Sequence, residues 1–112
     1  MNAIMNKNFI ELNEANFHRE VLSAQQPVLV EFWASWSEAS KAMAPVLETV
    51  AKHDAVPVKI VRVNVEHHED LTDQYGVRAV PTLLLFNQGA LQDKIVGQTT
   101  EQTLRQSLDR LT

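Results

Sequence analysis

The chain has 112 residues and no cysteine. That absence excludes disulfides, thiolate nucleophiles and Cys-ligated metals, and it carries no information on redox compartment. There is no apolar run long enough to cross a bilayer, so no membrane partner is expected. Positive charge is not in excess: 10 Lys and Arg stand against 14 Asp and Glu, a formal net charge of -4. With no basic patch, a phosphate-backbone ligand is disfavoured and no nucleic-acid partner is expected. Repeats, low-complexity tracts and linkers are missing. The stretch Met1 to Asn8 is polar and has no long apolar segment after Lys7, so it does not read as a secretory leader, and a cytoplasmic location is the expectation. Hydrophobic residues make up 45% and charged residues 21%. These proportions suit one compact globular domain over residues 1-112, with a monomer as the default.

The apolar pattern that remains alternates between strands and helices. Phe9 to Leu12 suits a short first strand. Asn13 is placed to cap a helix reaching about Ala24, with Phe17 and Val21 on one face. After Pro27, Val28 to Ala34 reads VLVEFWA, a nearly continuous apolar run of the kind found in strands buried on both faces. Ser37 opens a helix to about His53, with Met43, Val46, Leu47 and Val50 at helical spacing and Pro45 expected to kink it. Val58 to Val65 is a strand, and Glu69 to Tyr75 a short helix stopped by Gly76. Thr82 to Phe86 is a buried strand. Asn87 to Ala90, with Gly89, turns into a strand over Leu91 to Val96, which makes a hairpin. Thr99 with Gln102 matches a capping box for a last helix whose apolar face is Leu104, Leu108 and Leu111. The order β-α-β-α-β-α-β-β-α predicts an α/β fold, a mixed central sheet flanked by helices on both faces.

Few residues stand out chemically. Glu31 lies inside the buried run, where an unpartnered carboxyl costs a few kcal/mol and where burial should raise its pKa. Ser37 would need a base to act as a nucleophile, and the histidines available are His18, His53, His67 and His68, in segments that the fold implied by the resemblance given below should not bring beside it. A helix cap is the plainer role for Ser37. Glu66-His67-His68-Glu69-Asp70 has metal-ligand composition. Adjacent histidines point apart on a helix or a strand, however, so a solvated acidic helix entry is the better reading and no metal is expected. Trp33 is expected in the core.

The segment Phe32 to Lys41, FWASWSEASK, resembles the active-site stretch of the thioredoxin family, Phe-Trp-Ala-x-Trp-Cys-Gly-Pro-Cys-Lys. The likeness continues through Ala44-Pro45, Tyr75-Gly76-Val77-Arg78 and Val80-Pro81-Thr82-Leu83-Leu84-Leu85-Phe86, and Gly89 and Gly97 fall where family glycines do. It covers nearly the whole chain. The resemblance implies a thioredoxin fold, a cis Val80–Pro81 bond, no cofactor, and thiol–disulfide oxidoreductase ancestry. Ser37 and Ser40 stand at the attacking and resolving cysteine positions, so the chain as written is expected to be inactive.

The same resemblance assigns further roles. Glu31 matches the family's buried acid, which assists proton transfer at the resolving thiol, and Arg62 matches a lysine on the adjacent strand and is its candidate partner. Trp36, Ala39, Val80, Pro81 and Gly97 match the groove that receives extended segments of protein substrates. A thioredoxin reductase is the implied partner if the native form carries cysteines. An alternative is a naturally redox-inactive peptide-binding, chaperone-like or scaffold module that uses the same groove. Serine at both positions with the buried acid kept fits recent or deliberate replacement of two cysteines. Glu38-Ala39, where the family has Gly-Pro, fits natural divergence.

Overall fold

The structure is a computed structural model that describes residues 9–52 and 57–111. Its strands are β1 (Ile10–Glu11), β2 (Val28–Trp33), β3 (Lys59–Asn64), β4 (Thr82–Asn87) and β5 (Ala90–Val96). They form one mixed sheet in the order β1-β3-β2-β4-β5. β1, β3 and β2 are parallel, and β4 runs antiparallel to both β2 and β5. The expected mixed α/β architecture is therefore present.

β2 is the hub. It pairs with β3 from Val28 opposite Lys59 to Trp33 opposite Asn64, and with β4 from Val28 opposite Phe86 to Phe32 opposite Thr82. Successive strand residues point to opposite faces. Val28, Val30 and Phe32 therefore join one apolar cluster, and Leu29 joins the other. The first cluster is closed by Phe17 and Val21 from the first helical segment and by Leu71 from the third helix. Phe17, Tyr75 and Phe86 meet there with ring centroids 5.4 to 6.2 Å apart. The second cluster is closed by Met43, Leu47 and Val50 from the second helix and by Leu104 and Leu108 from the last.

The helices are α1 (Glu14–Phe17), α2 (Glu38–Ala51), α3 (Glu69–Gln74) and α4 (Glu101–Asp109). Asn13 caps α1 reciprocally with Asn16: each side chain accepts from the other's backbone N–H. α1 does not continue as α-helix towards Ala24. It widens into a π-helical segment, His18–Leu22, closed by the Ser23 N–H on the His18 carbonyl at 2.9 Å. Lys59 of β3 grips this segment, donating to the Glu20 carbonyl and to its carboxylate. α2 begins at the Ser37 cap as expected, and Pro45 lies within it, leaving the Lys41 carbonyl without its usual i+4 donor. The expected helix end near His53 falls outside the described residues. Among the described residues no helix is long and apolar enough to cross a membrane.

The hairpin between β4 and β5 turns through Gln88 and Gly89, both with positive φ. This is the two-residue geometry that matches strand twist. A Cβ on Gly89 would sit 2.7 Å from the Leu22 carbonyl oxygen, so only glycine fits there.

One capping assignment differs from the sequence reading. The cap of α4 is Thr100, not Thr99: Thr100 is extended and accepts from the Thr103 N–H at 3.2 Å. The Thr99 N–H instead points at the Met43 sulfur. Gln102 favoured Thr99 in the sequence, but the true partner is Thr103, whose hydroxyl accepts from Thr100 at 3.1 Å. Thr100→Ala should cost about 1 kcal/mol of stability in urea unfolding, the usual loss for a cap. Thr99→Ala should cost much less; the reverse ranking would contradict the cap assignment.

Candidate functional site

The site hangs from the C-terminal end of β2. Ala34, the next residue, is fully buried, whereas Ser35 and Trp36 are exposed. The chain turns back at once, with the Ser37 N–H donating to the Ala34 carbonyl at 3.2 Å, and α2 starts. Two serine oxygens tie this turn together. The Ser40 N–H donates to Ser37 Oγ at 3.1 Å, and the Ala34 N–H donates to Ser40 Oγ at 3.4 Å. Both serines are buried. The exposed side of the turn is held by Glu66, whose Oε1 accepts from the Ser35 N–H at 2.7 Å and from the Ser35 hydroxyl at 2.8 Å. These bonds keep the Glu66 carboxyl below its ordinary pKa.

No base is in position to activate Ser37 among the described residues. Its recorded side-chain partner is a backbone donor. His18 bonds to Ser23, and His68 pairs with Glu14 at 3.1 Å; His53 lies outside the described residues. The acidic run around His67 and His68 is drawn apart in the same way, Glu66 to Ser35 and His68 to Glu14. Among the described residues no group of three His, Asp or Glu side chains is placed to hold a metal ion.

Glu31 sits in the middle of the sheet, between Arg62 of β3 and Leu83 of β4, and is 0% exposed. By strand alternation it shares the Leu29 face, the one covered by α2 and α4. The pairing with Arg62 expected from the sequence is present: Arg62 Nε donates to Glu31 Oε1 at 3.0 Å. Among the described residues Glu31 Oε2 has no hydrogen-bond partner. Burial pushes the Glu31 carboxyl up to about 7, against the opposing pull of Arg62. Arg62 also faces Glu11 of β1 at 3.5 Å. Its guanidinium lies 4.1 Å from the centroid of the Trp33 ring, and the Trp33 indole N–H donates to Glu11 at 3.4 Å. Trp33 is thus half-buried against a charge pair and not in the core, because its N–H and one ring face have polar partners.

On the other side of the turn, Trp36 is 67% exposed. It borders a shallow concavity of about 150 Å³ with Val65, Val77, Ala79 and Val80. The Val80–Pro81 peptide bond is cis. The Gly97 N–H donates to the Pro81 carbonyl at 2.7 Å. The structure therefore brings Trp36 and Val80 together and ties Gly97 to Pro81. Ala39, on the first turn of α2, does not line that concavity. Sequence reasoning missed Glu66 and Glu11. Both act across more than 20 positions, and no local motif signals such contacts.

The raised Glu31 pKa fixes a pH dependence. Between the ordinary value of 4.5 and about 7, the folded chain holds a proton that the unfolded chain has released. Stability therefore falls as pH rises through that window, by on the order of 3 kcal/mol. Below it the contribution is constant, and above it the loss is complete. Urea unfolding at pH 5 and pH 8 should show this fall. Glu31→Gln should flatten it, and an unchanged profile in that variant would contradict a buried, proton-holding carboxyl.

Comparison with known proteins accords with this geometry. The family model described as Thioredoxin matches residues 8–110. The Thioredoxin 1 of Synechococcus elongatus is 38% identical over 99 residues, covering 88% of this chain and 92% of that protein. A thioredoxin of Pseudomonas aeruginosa is 36% identical over 105 residues, covering 94% and 97%. Thioredoxin C-2 of Corynebacterium nephridii is 39% identical over 106 residues, covering 95% and 98%. The chain belongs to the thioredoxin family and has its fold.

Proposed function

We propose that this member of the thioredoxin family is the scaffold of a protein-disulfide reductase whose exchange centre is blank as written. Ser37 and Ser40 occupy the places of the attacking and resolving thiols. The observation that carries this reading is the bonding at the turn. Ser37 Oγ receives a backbone N–H at the start of α2, where free N–H groups and the helix dipole favour a negative charge. The Ala34 N–H reaches Ser40 Oγ at 3.4 Å, long for a bond to oxygen. The larger radius of sulfur makes that separation an ordinary contact for a thiol.

In the thiol form, the thiolate at position 37 attacks a substrate disulfide and releases one substrate thiol. The thiol at position 40 then attacks the mixed disulfide, releasing the second substrate thiol and leaving an intramolecular disulfide. An alcohol cannot take either part. Glu31 would take the proton from the resolving thiol, with Arg62 moderating its charge. Trp36, Ala39, Val80, Pro81 and Gly97 would receive an extended segment of the protein substrate, and a reductase would regenerate the dithiol. Cytoplasmic location, a monomeric state and a single domain over residues 1-112 complete the proposal.

The chain as written should not raise disulfide reduction above the dithiothreitol-only background in an insulin assay. Ser37→Cys with Ser40→Cys should produce sustained turnover. With no dithiothreitol present, Ser37→Cys alone should stop at a mixed disulfide, and Ser40→Cys alone should do nothing. Turnover by the unsubstituted chain, or a folded double variant that stays at background, would contradict the proposal.

A further inference from the structure

The exchange chemistry has no use for Glu11, yet Glu11 is built into the buried charge cluster. Arg62 is the cation at its centre, with its side chain only 7% exposed. Its Nε faces Glu31, which is fully buried, and its Nη1 faces Glu11, whose side chain is 48% exposed. The two carboxylates thus meet different nitrogens of one planar guanidinium. With both carboxyls ionised, two negative charges face the Arg62 guanidinium in a largely dry site, and among the described residues Glu31 Oε2 has no partner. A proton on Glu31 relieves this excess and releases Arg62 towards Glu11. Trp33 touches both ends of that movement, through its ring face at Arg62 and its indole N–H at Glu11. Of the other titratable groups among the described residues, His68 lies close to Glu11 and is paired with Glu14.

We propose that Arg62, shared between Glu31 and Glu11, carries the protonation state of the buried Glu31 to the protein surface, moving towards Glu11 and against Trp33 when Glu31 gains its proton. The device reaches from the centre of the sheet to its β1 edge. Its moving part lies beside the last residue of β2, immediately before the Ala34–Ser37 turn.

The element is testable in the full chain by carboxyl-detected NMR titration, with Trp33 fluorescence read in a Trp36→Phe background. The Glu11 carboxyl signal and the Trp33 fluorescence should both step at the pH where Glu31 titrates, and both steps should vanish in Glu31→Gln. Glu11→Gln removes a negative charge from the cluster and keeps the Arg62–Glu31 pair. The Glu31 midpoint should then fall by at least ~0.5 unit, less than the ~1–3 units produced by a charge in direct contact. Glu14→Gln, which alters the neighbouring His68 pair but not Arg62, should leave the midpoint in place. A Glu31 midpoint unmoved by Glu11→Gln would overturn the proposal. So would an equal shift in Glu14→Gln, or the absence of a Trp33 step at the Glu31 midpoint.

Discussion

Everything at the site depends on β2 being paired along both edges and covered on both faces. A strand so enclosed has one register available, because a one-residue slip would turn Val28, Val30 and Phe32 out of their cluster. That register delivers Ala34 to a fixed, buried point, and the turn to Ser37 is built from it. α2 is then pressed onto the same sheet by Met43, Leu47 and Val50. The start of the helix is held from two directions, by the strand end and by its own packed face. The cost of this enclosure is Glu31, a carboxyl with one satisfied oxygen in the middle of the sheet.

The serines fit this frame as ordinary parts of it. Ser37 supplies the acceptor that a helix start requires, and Ser40 takes the N–H left at the strand end. Neither has a base beside it among the described residues. The same contacts that make the serines structurally quiet would make thiols reactive, since a donor aimed at an uncharged oxygen is also aimed at a thiolate. On the proposed reading, serine in place of the two thiols removes the chemistry and leaves the architecture around it standing. Glu38, exposed and paired with Lys41 at 3.1 Å, adds a negative charge next to the site, which would oppose thiolate formation in a restored form.

Much of this was legible in the sequence wherever local pattern decides structure. The continuous run VLVEFWA marked the hub strand, Asn13 and Ser37 marked two helix starts, and Gly89 marked the hairpin, where the Leu22 carbonyl leaves no room for a side chain. Glu31 and Arg62 were identified as a pair through the family resemblance and meet in register. What was illegible depends on tertiary contact. The π-helical segment after Phe17 is clamped by Lys59 from a strand 39 positions beyond Glu20. Thr99 has the better local signal in Gln102, yet the chain turns its N–H to the Met43 sulfur and leaves the cap to Thr100. Glu66 reads in the sequence as part of a solvated acidic helix entry, because its partner, Ser35, is 31 residues away. Trp33 looked like core because nothing near it in sequence shows that Arg62 and Glu11 stand beside it.

The central claim is that only the two sulfurs are missing and that the geometry for joining them is in place. Disulfide formation tests it most directly. A folded Ser37→Cys, Ser40→Cys variant is exposed to mild oxidant at low protein concentration, and its free thiols are counted. The account expects both thiols to disappear together into one intramolecular bond, with the far-ultraviolet circular dichroism unchanged. Two thiols that persist in a folded, monomeric variant would contradict it.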